Sequence, residues 1–336
     1  MHPGKIPKSV LERCVFSHLG KMDSAVALGP GVGRDASVIR IGQDALIVST
    51  DPITGSKKDA GWLAVNVNAN DIATFGVEPR WFLVSLLLPV GSTDQDVERV
   101  MSQMERAARE LDVMIVGGHT EVTAEVEEPI ITGFMMGVAT GSKYVTSSGA
   151  RPGDRIILTK TVGIEGTAIL ASDGQTFLRK HITEEELGQA RELLKQISVV
   201  KEGVIGFKTG HVTAMHDPTE GGLANAIHEL CDASGVGFRL FYERVPVHPV
   251  TRRICRLLGI DFMHLISSGC MLMTCDPNRV VRLRGALKRA GIATAEIGEI
   301  VADSQSRMIV KQGHPEPLPI PETDAIWDAL RSLSLP

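Results

Sequence analysis

Acidic residues set beside glycines, or at the ends of apolar runs, are the features of this sequence most able to do chemistry. The first is Gly29-Pro-Gly-Val-Gly-Arg-Asp35. Its glycines permit close backbone approach to a ligand, and its amides could face phosphate. It is not a Walker loop, because no Gly-Lys-Ser/Thr follows, and it lacks the strand and glycine spacing of a dinucleotide fingerprint. Taken alone it reads equally as a mobile surface loop. The second is Asp51, directly after the β-rich run Ala45 to Thr50. A carboxylate there can point into a crevice or close a turn. The third is the stretch Trp62 to Phe75, where Asn66, Asn70 and Asp71 interrupt an apolar series. Asn66 and Asn70 lie one helical turn apart, with Asp71 beside them. If buried, they need partners, either another segment's backbone or a metal and its phosphates. The fourth is Gly117-Gly118-His119-Thr120-Glu121, after the short apolar run Val113 to Val116. His119 is as readily structural as functional, whereas Glu121 is a metal-ligand candidate. The fifth is His216-Asp217-Pro-Thr-Glu-Gly221-Gly222, leading into an apolar helix. Gly221 and Gly222 stand where free amides and the helix dipole favour an anion, although Asp217 also suits a turn or N-cap.

Several carboxylates without a thiolate suit a hard cation. Magnesium takes oxygen ligands and commonly bridges protein carboxylates to substrate phosphates. The residues by themselves lead to a metal-plus-phosphate site with no named substrate.

The elements that must position these groups alternate. Strands are expected at Ala45–Thr50, Trp81–Leu88, Val113–Val116 and Ile130–Ala139, with helices at Trp62–Phe75 and from Thr93, where Asp96 completes a capping-box pattern. Gly76 and Pro79 end the first of those helices. Turn chemistry over Ser147 to Asp154 marks a boundary, giving an N-terminal unit, 1–148, and a C-terminal unit, 149–336. The second unit predicts strands at Arg155–Thr159, Val212–His216, Met271–Cys275 and Ile292–Val301. Helices are predicted near Glu184–Ile197, Lys201–Phe207, Leu223–Ser234, Pro249–Leu258, Asn278–Ala290 and Asp324–Leu333, and Pro315 to Pro321 reads as a linker. Mixed elements in two units make an α/β or α+β protein.

Composition narrows the function classes. With 336 residues the chain is comfortable as two domains. A net charge of −5 and few aromatics argue against nucleic-acid binding. No apolar run reaches membrane-span length and the first residues carry no leader pattern, so a cytoplasmic location is expected. Five cysteines without a Cys-x-x-Cys pair read as reduced, buried thiols.

At the acidic segments the sequence resembles the superfamily of aminoimidazole ribonucleotide synthetase, thiamine monophosphate kinase, selenophosphate synthetase and the hydrogenase-maturation protein HypE. Gly33-Arg-Asp35-Ala resembles its Gly-Asp-Asp-Ala motif, Thr50-Asp51 its strand-end Thr-Asp, and Asn70-Asp71-Ile-Ala its Asn-Asp-Leu-Ala helix. Gly117-Gly118-His119-Thr120 resembles its Gly-Gly-Asp/His/Glu-Thr segment, and His216-Asp217-Pro-Thr-Glu-Gly221-Gly222 its second-domain Arg-Asp-Ala-Thr-Arg-Gly-Gly. One such match is weak, but five in order across nearly the whole chain are specific. The texture is most similar to HypE-like proteins.

The resemblance implies an N-terminal sheet-forming dimerisation domain, a C-terminal α/β domain, a homodimer, and ATP held between the domains. Magnesium would lie on Asp35, Asp51 and Asp71, with Glu121 and Asp217 as further ligands, and Asp51 and Asp71 would be central to catalysis. Asp35, Asn70, Gly117, Gly118, His119, Thr120, Asp217, Gly221 and Gly222 would line the nucleotide. Lys5 belongs to a segment that folds over nucleotide in relatives. The implied chemistry is ATP-dependent phosphoryl transfer to a small-molecule or protein-borne acceptor. Hydrogenase maturation, thiamine monophosphate phosphorylation and non-catalytic nucleotide binding are the alternatives. HypE proteins end in a reactive cysteine, whereas this chain ends Leu-Arg-Ser-Leu-Ser-Leu-Pro336.

Overall fold

The computed structural model describes residues 4–53 and 58–334. Its first sheet is built from β1 (Val26–Leu28), β2 (Ser37–Ile41), β3 (Asp44–Ile53), β4 (Pro79–Pro89), β5 (Met114–Thr123) and β6 (Ile130–Ala139), in the order β1-β2-β3-β6-β4-β5. Only β4 and β5 run parallel; the other pairs are antiparallel. The helices α1 (Ala60–Ala73) and α2 (Asp94–Glu110) belong to this half.

All of α1 is buried. It packs against β3, β6, α2 and a helix of the second half. Small residues make this possible: a Cβ on Gly61 would sit 2.4 Å from the Val100 carbonyl oxygen of α2. A helix enclosed on every side must be largely apolar, which suits its Ala- and Val-rich sequence, and its three asparagines and one aspartate are the exceptions. The amphipathic α2 begins with the expected capping box: Thr93 Oγ1 accepts from the Asp96 amide, and Asp96 accepts from the Thr93 amide.

The second sheet contains β7 (Arg155–Thr159), β8 (Val212–His216), β9 (Gly237–Phe241), β10 (Leu272–Cys275), β11 (Thr294–Val301), β12 (Arg307–Lys311) and β13 (His314–Pro317), in the order β13-β12-β9-β11-β7-β10-β8. Its main helices are α3 (Ile164–Asp173), α4 (Glu184–Glu192), α5 (Val200–Lys208), α6 (Gly222–Ser234), α7 (Pro249–Leu258), α8 (Val280–Arg289) and the C-terminal α9 (Ala325–Ser334). α5 meets α1 so closely that a Cβ on Gly203 would lie 2.1 Å from the Ala73 carbonyl oxygen.

Two expectations change. The strand expected over Val113–Val116 continues to Thr123, so the Gly117 to Glu121 segment lies within a strand and not in a loop after it. The stretch read as a linker begins with β13, a strand on the sheet edge, where proline's missing donor costs no ladder bond. All five cysteines are free thiols; four are buried, but Cys14 is exposed.

Candidate functional site

Four aspartates converge from four segments. Asp51 stands near the end of β3, where Asn68 of α1 holds its backbone. The Asp51 amide donates to Asn68 Oδ1 (2.9 Å), and Asn68 Nδ2 donates to the Asp51 carbonyl (3.2 Å). One turn further along α1 comes Asp71, only 4% exposed. Asp35 enters from the loop before β2. That loop is pressed onto α6 by Gly33, whose φ is +70° and whose added Cβ would lie 2.8 Å from the Glu229 carbonyl oxygen. Asp217 follows β8 directly and is 1% exposed.

His216 sets the electrostatics. Its Nδ1 lies 2.8 Å from Asp35 Oδ1 and its Nε2 lies 2.9 Å from Glu229 Oε2. Burial opposes its charge, but Asp35 and Glu229 outweigh it and hold the imidazole well above its usual range. His216 is therefore an imidazolium clamped between two carboxylates, with no nitrogen free for a metal. Lys5 reaches in from the N-terminal segment, Nζ donating to Thr219 Oγ1 (3.3 Å) and its amide donating to Glu220 Oε2 (2.9 Å). Desolvation works against its charge, while Glu229, Asp51, Asp35 and Glu220 together raise it above the ordinary lysine range.

The aspartates are crowded beyond what these cations offset. Burial, partly relieved by Lys5 and reinforced by Asp35 and Glu220, pushes Asp51 up to about 6. Burial and then Asp35 push Asp217 up to about 8 despite His216. Burial, followed by Asp51, Asp217 and Asp35, holds Asp71 well above the carboxylate range. Carboxylates so placed cannot all ionise without added positive charge. Both carboxylate oxygens of Asp217 are buried without a hydrogen-bond partner. Ligating atoms of Asp35, His216 and Asp217 lie within 4.8 Å of one another. The free donors are hard oxygens with no thiolate among them, which fits a magnesium ion held by the aspartates.

Beside Asp51 opens a cavity of about 380 Å³. Lys5, Glu165 of α3, Ser268, Glu220 and Trp327 of α9 line it. Burial is the main force pushing Glu165 up to about 7; Ser268 pulls the other way, and Asp324, Asp51 and Glu220 add to the rise.

The structure thus brings Asp35, Asp51, Asp71, Asp217 and Lys5 into one region. The remaining candidates are placed otherwise. The Asn70 amide is committed to backbone, Nδ2 donating to the Ile197 carbonyl (3.0 Å) and Oδ1 accepting from the Val199 amide (2.8 Å). It ties α1 to the second half, which leaves one N–H and one lone pair of the amide uncommitted. The amides of Gly221 and Gly222 are also taken, by Asp324 Oδ2 (2.6 Å) and the Thr219 carbonyl (2.9 Å), so that helix start offers no free anion cradle from these two. His119, Thr120 and Glu121 lie on the sheet-edge strand β5. The register Asp51–Gly133–Val84–Gly118 puts three inter-strand steps, roughly 14 Å, between β3 and β5. Alternation then turns His119 and Glu121 to the opposite sheet face, where they pair with each other at 2.8 Å. Within this chain they do not reach the aspartates. Gly118 serves strand packing: an added Cβ would lie 1.9 Å from the Val84 carbonyl oxygen.

Sequence reasoning passed over Asn68, Glu165, His216 as a charge clamp, Glu229 and Ser268. Glu165 carried a signal, being an acid inside the apolar run Ile164 to Leu170. Ser268 carried none.

Residues 33–139 match the family model described as AIR synthase related protein, N-terminal domain, and residues 151–311 match its C-terminal counterpart. The chain belongs to the AIR synthase related family. Among relatives, the carbamoyl dehydratase HypE of Cupriavidus necator is 32% identical over 266 residues, covering 78% of this chain and 73% of that protein. A hydrogenase expression/formation protein of Methanocaldococcus jannaschii is 27% identical over 335 residues, covering 94% and 96%. A solved structure of the hydrogenase maturation protein HypE in complex with ATP has the same fold, with a TM-score of 0.67, 21% identity and coverage of 96% and 97%.

Proposed function

We propose that this family member binds Mg-ATP and transfers a phosphoryl group to a small acceptor. The observation that carries the reading is the quartet of buried Asp71 and Asp217 with half-buried Asp35 and Asp51, crowded beyond self-neutralisation, with both Asp217 oxygens unpartnered. A divalent cation held there would supply charge neutralisation for the transferring group. The protein's own residues bind and orient. Asn68 fixes the Asp51 backbone, the His216 imidazolium holds Asp35 and Glu229, and Lys5 is the ammonium placed to meet a phosphate oxygen. The ATP seen in the related HypE structure supports the nucleotide.

The units 1–148 and 149–336, a cytoplasmic setting and a homodimer belong to the same proposal. Met114 and Phe134 are 66% and 42% exposed on the open face of the first sheet, which supports pairing of two copies there. A hydrogenase-maturation role is the second reading, favoured by the names of the relatives. The C-terminal helix α9 is docked, with Trp327 Nε1 donating to Glu220 Oε1 (3.2 Å).

Titration calorimetry with a non-hydrolysable ATP analogue, with and without magnesium, tests the site. Binding is expected to need magnesium and to weaken about a hundredfold in Asp71→Ala, as for loss of a buried charged contact. Equal binding without magnesium, or by Asp71→Ala, overturns the proposal.

A further inference from the structure

The cavity beside Asp51 holds two polar groups that the nucleotide reading does not use. Glu165 and Ser268 are 5% and 1% exposed; Ser268 stands near enough to Glu165 to lower its pKa, but neither Glu165 Oε2 nor Ser268 Oγ makes a well-aligned hydrogen bond. Such groups cost free energy unless something satisfies them. They stand among Ile53, Val67, Ile169, Ile266, Ile326 and Leu330 in a space of about 380 Å³, the small end of the range for ligand pockets.

We propose that this cavity is the acceptor subsite, taking an uncharged small molecule whose aliphatic body packs on the isoleucines and whose hydroxyl or carboxamide head sits between Glu165 and Ser268. The assignment rests on the phosphoryl-transfer reading for the ligand's role, while its binding stands apart from it. Four features select this chemistry. The cavity meets the aspartate quartet only through Asp51, so the acceptor lies beside the metal-phosphate region and not within it. An anionic head would face Glu165, Asp51 and Glu220 with Lys5 the one cation among the described residues of the wall, and that ammonium is already shared among four carboxylates. A cationic head would require ionised Glu165, which its burial opposes. A neutral head that both donates and accepts satisfies the acid and the hydroxyl together.

Ile326, Trp327 and Leu330 of α9 form the outer wall, and Asp324 anchors that helix through the Gly221 amide. A cavity of about 380 Å³ suits a short ligand.

Trp327 lines the cavity and reports its filling by fluorescence. The probes are hexanol, hexanamide, hexylamine, hexanoate and hexyl phosphate, matched in chain length and titrated into the full chain, with Trp327→Phe as the signal control. Hexanol or hexanamide is expected to bind, with the three charged probes at least about tenfold weaker. Glu165→Leu and Ser268→Val should each weaken the neutral probe by about tenfold, the worth of one buried hydrogen bond, while Glu165→Gln should retain it. Melting curves and calorimetric nucleotide binding of the same variants separate a misfolded protein, or a failed nucleotide site, from a failed acceptor site. Stronger binding of a charged probe, silence from all five, or unchanged affinity in folded Glu165→Leu overturns the proposal. So does displacement of the probe by the ATP analogue, which would assign the cavity to nucleotide.

Discussion

At the residue scale, the site is governed by burial acting on charge. Glu165 is the clearest case outside the aspartates, its pKa raised to about 7 chiefly by burial, with Asp324, Asp51 and Glu220 as the acids facing it. A raised folded-state pKa means that the folded protein keeps its proton while the unfolded chain releases it. The contribution is fully present below the ordinary glutamate range and is lost as pH rises through about 7. Denaturant melts at pH 5 and pH 8 should therefore show Glu165→Gln gaining on the parent protein by on the order of 2–3 kcal/mol at the higher pH. A constant difference between the two proteins would show Glu165 ionising normally. The presence of Asp35, Asp51, Asp71 and Asp217 was legible in the sequence because each is an acid near a glycine, at the end of an apolar run or, for Asp71, interrupting one. The charge clamp of His216 was not, because Asp35 and Glu229 reach it from distant segments.

At the element scale, α1 and its neighbours do the positioning. Asn68 returns Nδ2 to the Ala64 carbonyl (2.8 Å) while holding the Asp51 backbone on both sides, so the helix fixes where the strand's carboxylate points. Asn68→Ala should destabilise the fold by about 2–3 kcal/mol, since it leaves buried backbone groups of Asp51 unpaired, and should weaken magnesium-dependent nucleotide binding as well. Unaltered melting and binding would remove Asn68 from the positioning role. In β5, Gly118 is required by space and not by ligand contact. Gly118→Ala should cost roughly 3 kcal/mol or more because its methyl meets the Val84 carbonyl and both strands must part. A melting temperature equal to the parent's would contradict the tight β4–β5 approach. Helices with caps and strong periodicity, such as α2 and α7, were readable from sequence. α3 was not: it begins at the left-handed Gly163, carries no side-chain cap and buries Glu165 among aliphatic residues, so local propensity says little.

At the scale of the whole molecule, the first sheet buries one face under α1 and leaves the other open, with Met114 and Phe134 exposed and Leu83, Leu87 and Met136 half-buried on the outward side. A second copy would cover that apolar surface. Light scattering should give a mass of two chains for the parent protein and of one chain for Phe134→Asp, because a carboxylate at the centre of such a contact has no partner. A monomeric parent protein would end the dimer reading. No described helix is long and apolar enough to cross a membrane.

The sequence by itself determined the mixed α/β class, the family resemblance and the acidic residues available for chemistry, because periodicity, glycine placement and short motifs are local properties of a chain. The tertiary structure decided which of them meet. It tied the Asp51 backbone through Asn68 to the helix that carries Asp71, brought Asp35 against His216 across 181 positions, and turned His119 and Glu121 to the far face of the sheet. It also spent the Asn70 side chain and the Gly221 and Gly222 amides on backbone and helix anchoring. Those outcomes depend on strand register and helix packing, where a side chain's partner is set by the geometry of other segments and leaves no mark in its own neighbourhood.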